Sequence, residues 1–247
     1  MYHMLVMQYS KPPIVEAVID FRYELSQSTN EKNIASFHEK IKTRYPIKQE
    51  QRAFENAVQL GPNPHLKSKD LGVTGYLFKS ANEKNILQCK LNGFTFSQLA
   101  PYDHWTPFRD AAKELWSLYT HIGIEKVTRV ATRYINLIDL PPQIMEVDDY
   151  INGLPKLPPD MEVELVNFFN KIQIMEKTTK VSAIVMQGIQ PSKKPGQISI
   201  LLDIDAFITS RYEHPFDDLW ADLDRVKKFE DKIFEALSTI KAKELFK

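Results

Sequence analysis

Ile14-Val15-Glu16-Ala17-Val18-Ile19-Asp20-Phe21-Arg22-Tyr23-Glu24-Leu25 alternates along its whole length. Val15, Ala17, Ile19, Phe21, Tyr23 and Leu25 fall on one side, and Glu16, Asp20, Arg22 and Glu24 on the other. A period of two is that of a strand with one buried face. Pro12-Pro13 limit where it can start. A second strand reads from Val127 to Leu137, and there Arg22-Tyr23 recurs as Arg133-Tyr134, 111 residues on. Tyr102-Asp103-His104, followed by Pro107-Phe108-Arg109-Asp110, recurs 110 residues on as Tyr212-Glu213-His214, followed by Pro215-Phe216-Asp217-Asp218. Two signals at nearly one spacing predict a duplicated unit of about half the chain.

The rest of the pattern is consistent with that. After the first strand, Thr29 or Asn30 can cap a helix whose Ile34, Phe37, Ile41 and Tyr45 recur at three- and four-residue steps, and Pro46 ends it. Strand-like runs follow at 53–60, 73–80 and 85–97, with a loop beginning at Gly61-Pro62-Asn63-Pro64. Thr106-Pro107 predicts the start of a second helix, and Gly123 suits a left-handed cap after it. In the second half a short helix is expected over Val147–Ile151, then a rigid loop at Pro155, Pro158 and Pro159. Strands are expected at 166–176, 181–189 and 197–207, the last two joined as a hairpin through Pro191–Gly196. Leu219, Leu223, Val226, Phe229, Ile233, Leu237 and Ile240 predict a closing helix from 217 to about 246, docked through Leu245-Phe246. Each half then reads β-α-β-β-β-α. The expectation is an α+β protein with antiparallel or mixed sheets covered by helices, in half-units 1–124 and 125–247 that form one compact pseudo-twofold domain.

Composition excludes several classes. Lys plus Arg and Asp plus Glu number 32 each, so no overall field favours nucleic acid or an anionic membrane. The single Cys89, in a strand-like run, permits no intrachain disulfide and reads as inert core. Met1–Gln8 lacks the cationic start and apolar length of a secretory signal, and no apolar run approaches the roughly 20 residues that span a bilayer. A cytosolic location is expected. His3, His38, His65, His104, His121 and His214 form no pair at metal-ligand spacing, and the eight glycines form no phosphate loop. No catalytic residue, metal or cofactor is assigned.

The polar strand faces are the best candidates for a site. Glu16, Asp20 and Arg22 share one side of the first strand, Arg129 and Arg133 one side of its counterpart, and Asp203 and Asp205 one side of the last strand. Such faces form cross-strand ion pairs on a solvated sheet. They can also present guanidinium forks to an anion, with Arg22 and Arg133 at half-equivalent positions. The Tyr-acid-His triplets read first as strand-to-helix corners, their carboxylates favoured near a helix N-terminus. Lys193-Lys194 and the C-terminal Lys241, Lys243 and Lys247 are weak basic spots. Trp105, Trp116 and Tyr102 are core, or an exposed patch for a partner.

Pro12-Pro13-Ile14-Val15-Glu16-Ala17, then Arg133-Tyr134-Ile135-Asn136, then Phe234-Glu235 with Leu245-Phe246, resemble in order and spacing a sporadically distributed prokaryotic family. Its members are of similar length and are known mainly by a family number. The resemblance covers essentially the whole chain and implies a bacterial or archaeal cytosolic protein, with an occurrence like that of mobile or defence-associated genes. It implies no activity and no catalytic residues.

The sequence therefore favours a non-enzymatic binding or regulatory module whose partner is a protein, a second copy or an anionic small ligand. The alternative is an enzyme acting on an anionic small molecule at the polar sheet surface. Nucleic acid and membrane are not expected partners.

Overall fold

The computed structural model describes residues 9–59, 65–142, 146–158, 160, 163 and 165–247. The alternating run is strand β1 (Ile14–Leu25). Ala17, Ile19 and Phe21 are wholly buried, while Arg22 and Glu24 are exposed. Strand β6 (Ile124–Asp139) lies beside it, antiparallel, with Val18 opposite Arg133 and Arg22 opposite Arg129. The remaining strands are β2 (Ile47–Gln59), β3 (His65–Lys79), β4 (Asn85–Lys90), β5 (Gly93–Leu99), β7 (Phe169–Met175), β8 (Ser182–Pro191) and β9 (Ile198–Glu213). They form one antiparallel sheet in the order β2-β3-β4-β5-β1-β6-β9-β8-β7. The α+β class is therefore observed, with a single sheet crossing the midpoint of the chain.

Helices α1 (Glu31–Ile41), α2 (Trp105–Tyr119) and α3 (Asp218–Leu237) cover one face. Ile34, Phe37 and Ile41 of α1, Phe108, Leu115 and Trp116 of α2, and Leu219 and Leu223 of α3 pack on Ile19, Phe21, Phe94 and Val130. Farther along α3, Val226, Phe229 and Ile233 pack on Ile200, Leu202 and Ile204. Each large apolar side chain buried this way contributes about 1.5–3 kcal/mol. Trp116 is core, its ring 4.8 Å from that of Phe21. No described helix packs on the opposite face.

Several expectations need correction. Residues 85–97 are two strands, turned at Leu91-Asn92. The buried positions shift phase there, from Leu87 and Cys89 to Phe94 and Phe96, and Asn92-Gly93 marks the turn. The caps differ too. Asn30 caps α1, accepting from Lys32 N, but α2 starts at Trp105 with His104 at its N-cap in place of Thr106. Pro107 then sits in the first turn, where backbone N–H groups have no helical partner anyway. The short helix expected over Val147–Ile151 is a 3-10 turn at Val147–Asp149.

The closing helix is broken. Ser238 is extended, its backbone bridged to Ile151, and Asn152 N donates to Leu237 O at 2.7 Å. Thr239 then caps a new helix, α4 (Ile240–Glu244), leaving Ile240 exposed. Phe246 is buried and Leu245 is not, so the end docks through one ring. Gly123 is left-handed as expected, with φ 108°.

The β-α-β-β-β-α order also differs in detail. The first half runs β-α-β-β-β-β-α, and the second has four strands before α3 and α4. In both halves the first strand is innermost and the last strand is its neighbour. Residues 1–8, Gly61–Pro64 and Pro159, and the side chain of His65, lie outside the described residues.

Candidate functional site

The seven polar strand residues do share one face, the one turned away from the helices. They mostly engage one another. Arg22 Nε donates to Asp20 Oδ1 at 3.0 Å, Arg129 reaches the same oxygen at 3.1 Å, and its other nitrogen holds both oxygens of Asp205 at 2.7 and 2.8 Å. Arg133 forks onto Asp203 at 2.8 and 2.6 Å. Thr95 donates to the second oxygen of Asp20 at 2.7 Å, and the Arg129 guanidinium lies 4.5 Å from the Phe207 ring centre. Hydrogen bonding to Asp203 raises the Arg133 pKa further, and Asp205 and Glu16 add to the rise. Burial lifts the Asp205 carboxyl above its ordinary value even beside Arg129. Arg129 and Arg133 are thus committed to carboxylates on the neighbouring strands.

A larger concavity lies on the other face. A cleft of about 780 Å³ opens between the start of α2 and the middle of α3, floored by Tyr134 and Asn136 of β6 and flanked by Pro12–Ile14. Helical spacing builds its α3 wall. Asp224, Lys227, Asp231 and Phe234 step by three, four and three along a stripe adjacent to the buried one, with Glu230 between the two. Trp105 Nε1 and Arg109 Nη1 both donate to Asp224, at 2.9 and 3.0 Å, which ties α2 to α3 across the cleft. Tyr102 folds over the floor, its hydroxyl 2.8 Å from that of Tyr134.

Charge in this cleft is paired unevenly. Lys227 forms ion pairs with Asp231 and, at 3.1 Å, with Glu230 Oε2, and its ammonium stands 4.6 Å from the Tyr134 ring centre. Glu230 is only 2% exposed, and its Oε2 is held by Lys227 as an ion pair without the alignment of a good hydrogen bond. Burial raises the Glu230 carboxyl, against the pull of Lys227 and with help from Asp231. Burial alone would lower the Lys227 ammonium, but the two carboxylates outweigh it and hold it above its ordinary value. Burial pushes the Tyr102 hydroxyl up to about 12. Among the described lining residues, five side chains carry carboxyl groups and three are Lys or Arg.

The triplets divide. Tyr102 reaches the cleft, with Asp103 and His104 3.1 Å apart at its exposed rim. Tyr212 instead donates to Asp222 at 2.6 Å within the second strand-to-helix corner. Cys89 is fully buried, and burial pushes its thiol up, away from the thiolate. The basic spots are partly paired, Lys194 with Asp139, Lys241 with Asp149 and Lys243 with Glu235. Among the described residues no group of His, Cys, Asp or Glu converges as a metal site would need, and no helix is long and apolar enough to cross a membrane.

Lys227, Glu230 and Asp231 escaped the sequence reading because i, i+3, i+4 charges also mark an ordinary solvated helix face. A different signal pointed here. Of the motifs quoted above, Pro12-Pro13-Ile14, Tyr134 with Asn136, and Phe234-Glu235 all line this one cleft. No protein-family model and no curated protein sequence matches the chain.

Proposed function

We propose that the chain is a non-enzymatic binding module that receives a small organic cation, a protonated amine or amidine, in the cleft between α2 and α3. The observation that carries this reading is Glu230, a carboxyl removed from water in the wall of the cleft, whose Oε2 has Lys227 at 3.1 Å as an ion-pair partner but no well-aligned hydrogen bond. A buried acceptor that loses its partner outright costs about 1–3 kcal/mol, and a poorly aligned one part of that, which a ligand N–H would offset. The Tyr102, Trp105 and Phe234 rings supply faces that attract a cation. The excess of carboxyl groups disfavours an anion. This reverses the charge of the small ligand that the strand arginines suggested.

A second reading keeps the anionic ligand, as binder or enzyme substrate, on the open face of the sheet. It rests on Arg22, which spends only its Nε on Asp20 and is half exposed. The same proposal takes the two halves as copies of one unit related by an axis between β1 and β6. Their shared inner-strand order and the two triplets support it. The resemblance adds a prokaryotic, cytosolic setting, with mobile or defence genes as the context to examine.

Thermal scans with agmatine, spermidine and benzamidine on one side, and phosphate, AMP and citrate on the other, test the choice. The amines should raise Tm in the wild type and not in Glu230→Gln. A ligand at a hundred times its Kd stabilises by about 2.7 kcal/mol, which is several degrees for a chain of this size. No shift with any amine at millimolar concentration overturns the cation reading. A shift with the anions alone favours the second.

A further inference from the structure

The two edges of the sheet are guarded differently. The outer strand β2 carries Lys48, Glu50, Arg52 and Glu55, the mixed charge that keeps an edge from pairing with another chain. At the other edge β7 reads Phe-Asn-Lys-Ile-Gln-Ile-Met and has one charge, Lys171. Phe169, Ile172 and Met175 are 66%, 42% and 56% exposed. Val166, just before the strand, is also exposed. Among the described residues nothing hydrogen-bonds to the outer backbone of β7. A strand whose outer N–H and C=O groups have no partner among the described residues, with apolar side chains on both faces and a single charge, is a template for another strand.

We infer that the occupant is a second copy of this chain, with β7 pairing antiparallel to β7 across a twofold axis so that the sheet continues through the dimer. The strand's own sequence supports this choice. Pairing the whole of β7 with itself centres the register on Ile172, opposite its symmetry mate. Phe169 then meets Met175 on the open face, and Lys171 meets Gln173, so the one charge never faces its own copy. On the covered face Asn170 meets Ile174. Cross-strand apolar pairs of this kind each contribute about 0.2–1 kcal/mol, beyond the hydrogen bonds of the ladder. A closed, isologous contact uses up the edge on both copies and stops at two. Pairing with β2 instead would run on without closing and would set the apolar edge against a charged one.

Two measurements test this. Light scattering at micromolar concentration should give twice the 28.7 kDa of one chain. The same measurement on Ile172→Lys, which places two ammonium groups on the axis, should give the single mass with an unchanged circular dichroism spectrum. If Ile172→Lys fails to fold, cysteine cross-linking decides, because the only native thiol, Cys89, is buried. Residues directly opposite in an antiparallel pair have Cα atoms about 4.5–5.5 Å apart, within disulfide reach. Ile172→Cys should therefore form a covalent dimer under mild oxidation. Phe169→Cys alone should not, since its copy would lie about 20 Å away along the strands. Phe169→Cys should cross-link once Met175→Cys is added. A wild type of single mass up to hundreds of micromolar overturns the inference. So does a dimer that survives Ile172→Lys, or cross-linking as efficient at 169 alone as at 172.

Discussion

The protein holds two charge clusters on opposite faces of one sheet, and they differ in completeness. On the open face each described guanidinium finds a carboxylate on its own or a neighbouring strand, and Arg129 ties β1 to β9 across β6. In the cleft, Lys227 serves two carboxylates and meets Glu230 Oε2 only as a poorly aligned ion pair. A closed cluster holds strands together, because its desolvation cost is met internally. An open cluster in a cavity has room for a further partner. The contrast teaches that charge on a strand face is weak evidence for a ligand until its pairing is known.

Breaking the closed cluster should have the largest effect. Arg129→Ala leaves Asp20 and Asp205 facing one another, both shielded from water. Removing one partner of a buried ion pair costs about 3–5 kcal/mol, so Tm should fall by about ten degrees. Arg133→Ala should cost less, about 2–3 kcal/mol, because Arg133 is half exposed although Asp203 is buried. Replacing Arg133 and Asp203 together by leucine should recover most of that loss. A Tm for Arg133→Ala within a degree of wild type would show that the cluster is not closed in the sense argued above.

The open cluster predicts a pH effect. The folded-state pKa of Glu230 lies above its unfolded value, near 7. A carboxyl shifted this way contributes stability below its unfolded pKa and loses it as pH rises through the folded one. The groups facing it are Lys227 and Asp231 on α3, Tyr134 on β6 and Tyr102 before α2. Relative to Glu230→Gln, the wild type should therefore lose Tm between pH 5 and pH 8, and the gap should be constant above that. Parallel Tm curves for the two proteins would place Glu230 in an ordinary, satisfied environment.

Much of this architecture is legible in the chain. Alternation in residues 14–25 placed β1 and separated its two faces, and the spacing of Leu219, Leu223, Val226, Phe229 and Ile233 placed α3 on the sheet. The turn at Leu91-Asn92 was legible but missed: the apolar phase shifts from Cys89 and Leu91 to Phe94, and Asn92-Gly93 is a hairpin signal. The break at Ser238 was not legible, since it depends on backbone bonds from residues 150–152, far off in sequence. The cleft was hidden for the same reason. Trp105 and Asp224 meet across 119 residues, and only that meeting turns a polar helix stripe into a buried wall.

The smallest effect is reserved for Arg22, and it separates the two faces most cleanly. Arg22 donates from Nε to Asp20, whose Oδ1 is also held by Arg129 and whose Oδ2 accepts from Thr95. Removing the guanidinium therefore leaves no carboxylate unpaired, and a pair whose cation is half exposed and whose carboxylate keeps other partners contributes about 0–1 kcal/mol. Arg22→Ala should shift Tm by no more than about two degrees. It should leave stabilisation by amines intact, because Arg22 points away from the cleft. The informative measurement is the Tm shift on adding phosphate or AMP to wild type and to Arg22→Ala. If neither protein responds, the open face is a strut. If the wild type responds and the variant does not, Arg22 is the anion fork on which the second reading rests, and the cleft loses its claim as the binding site.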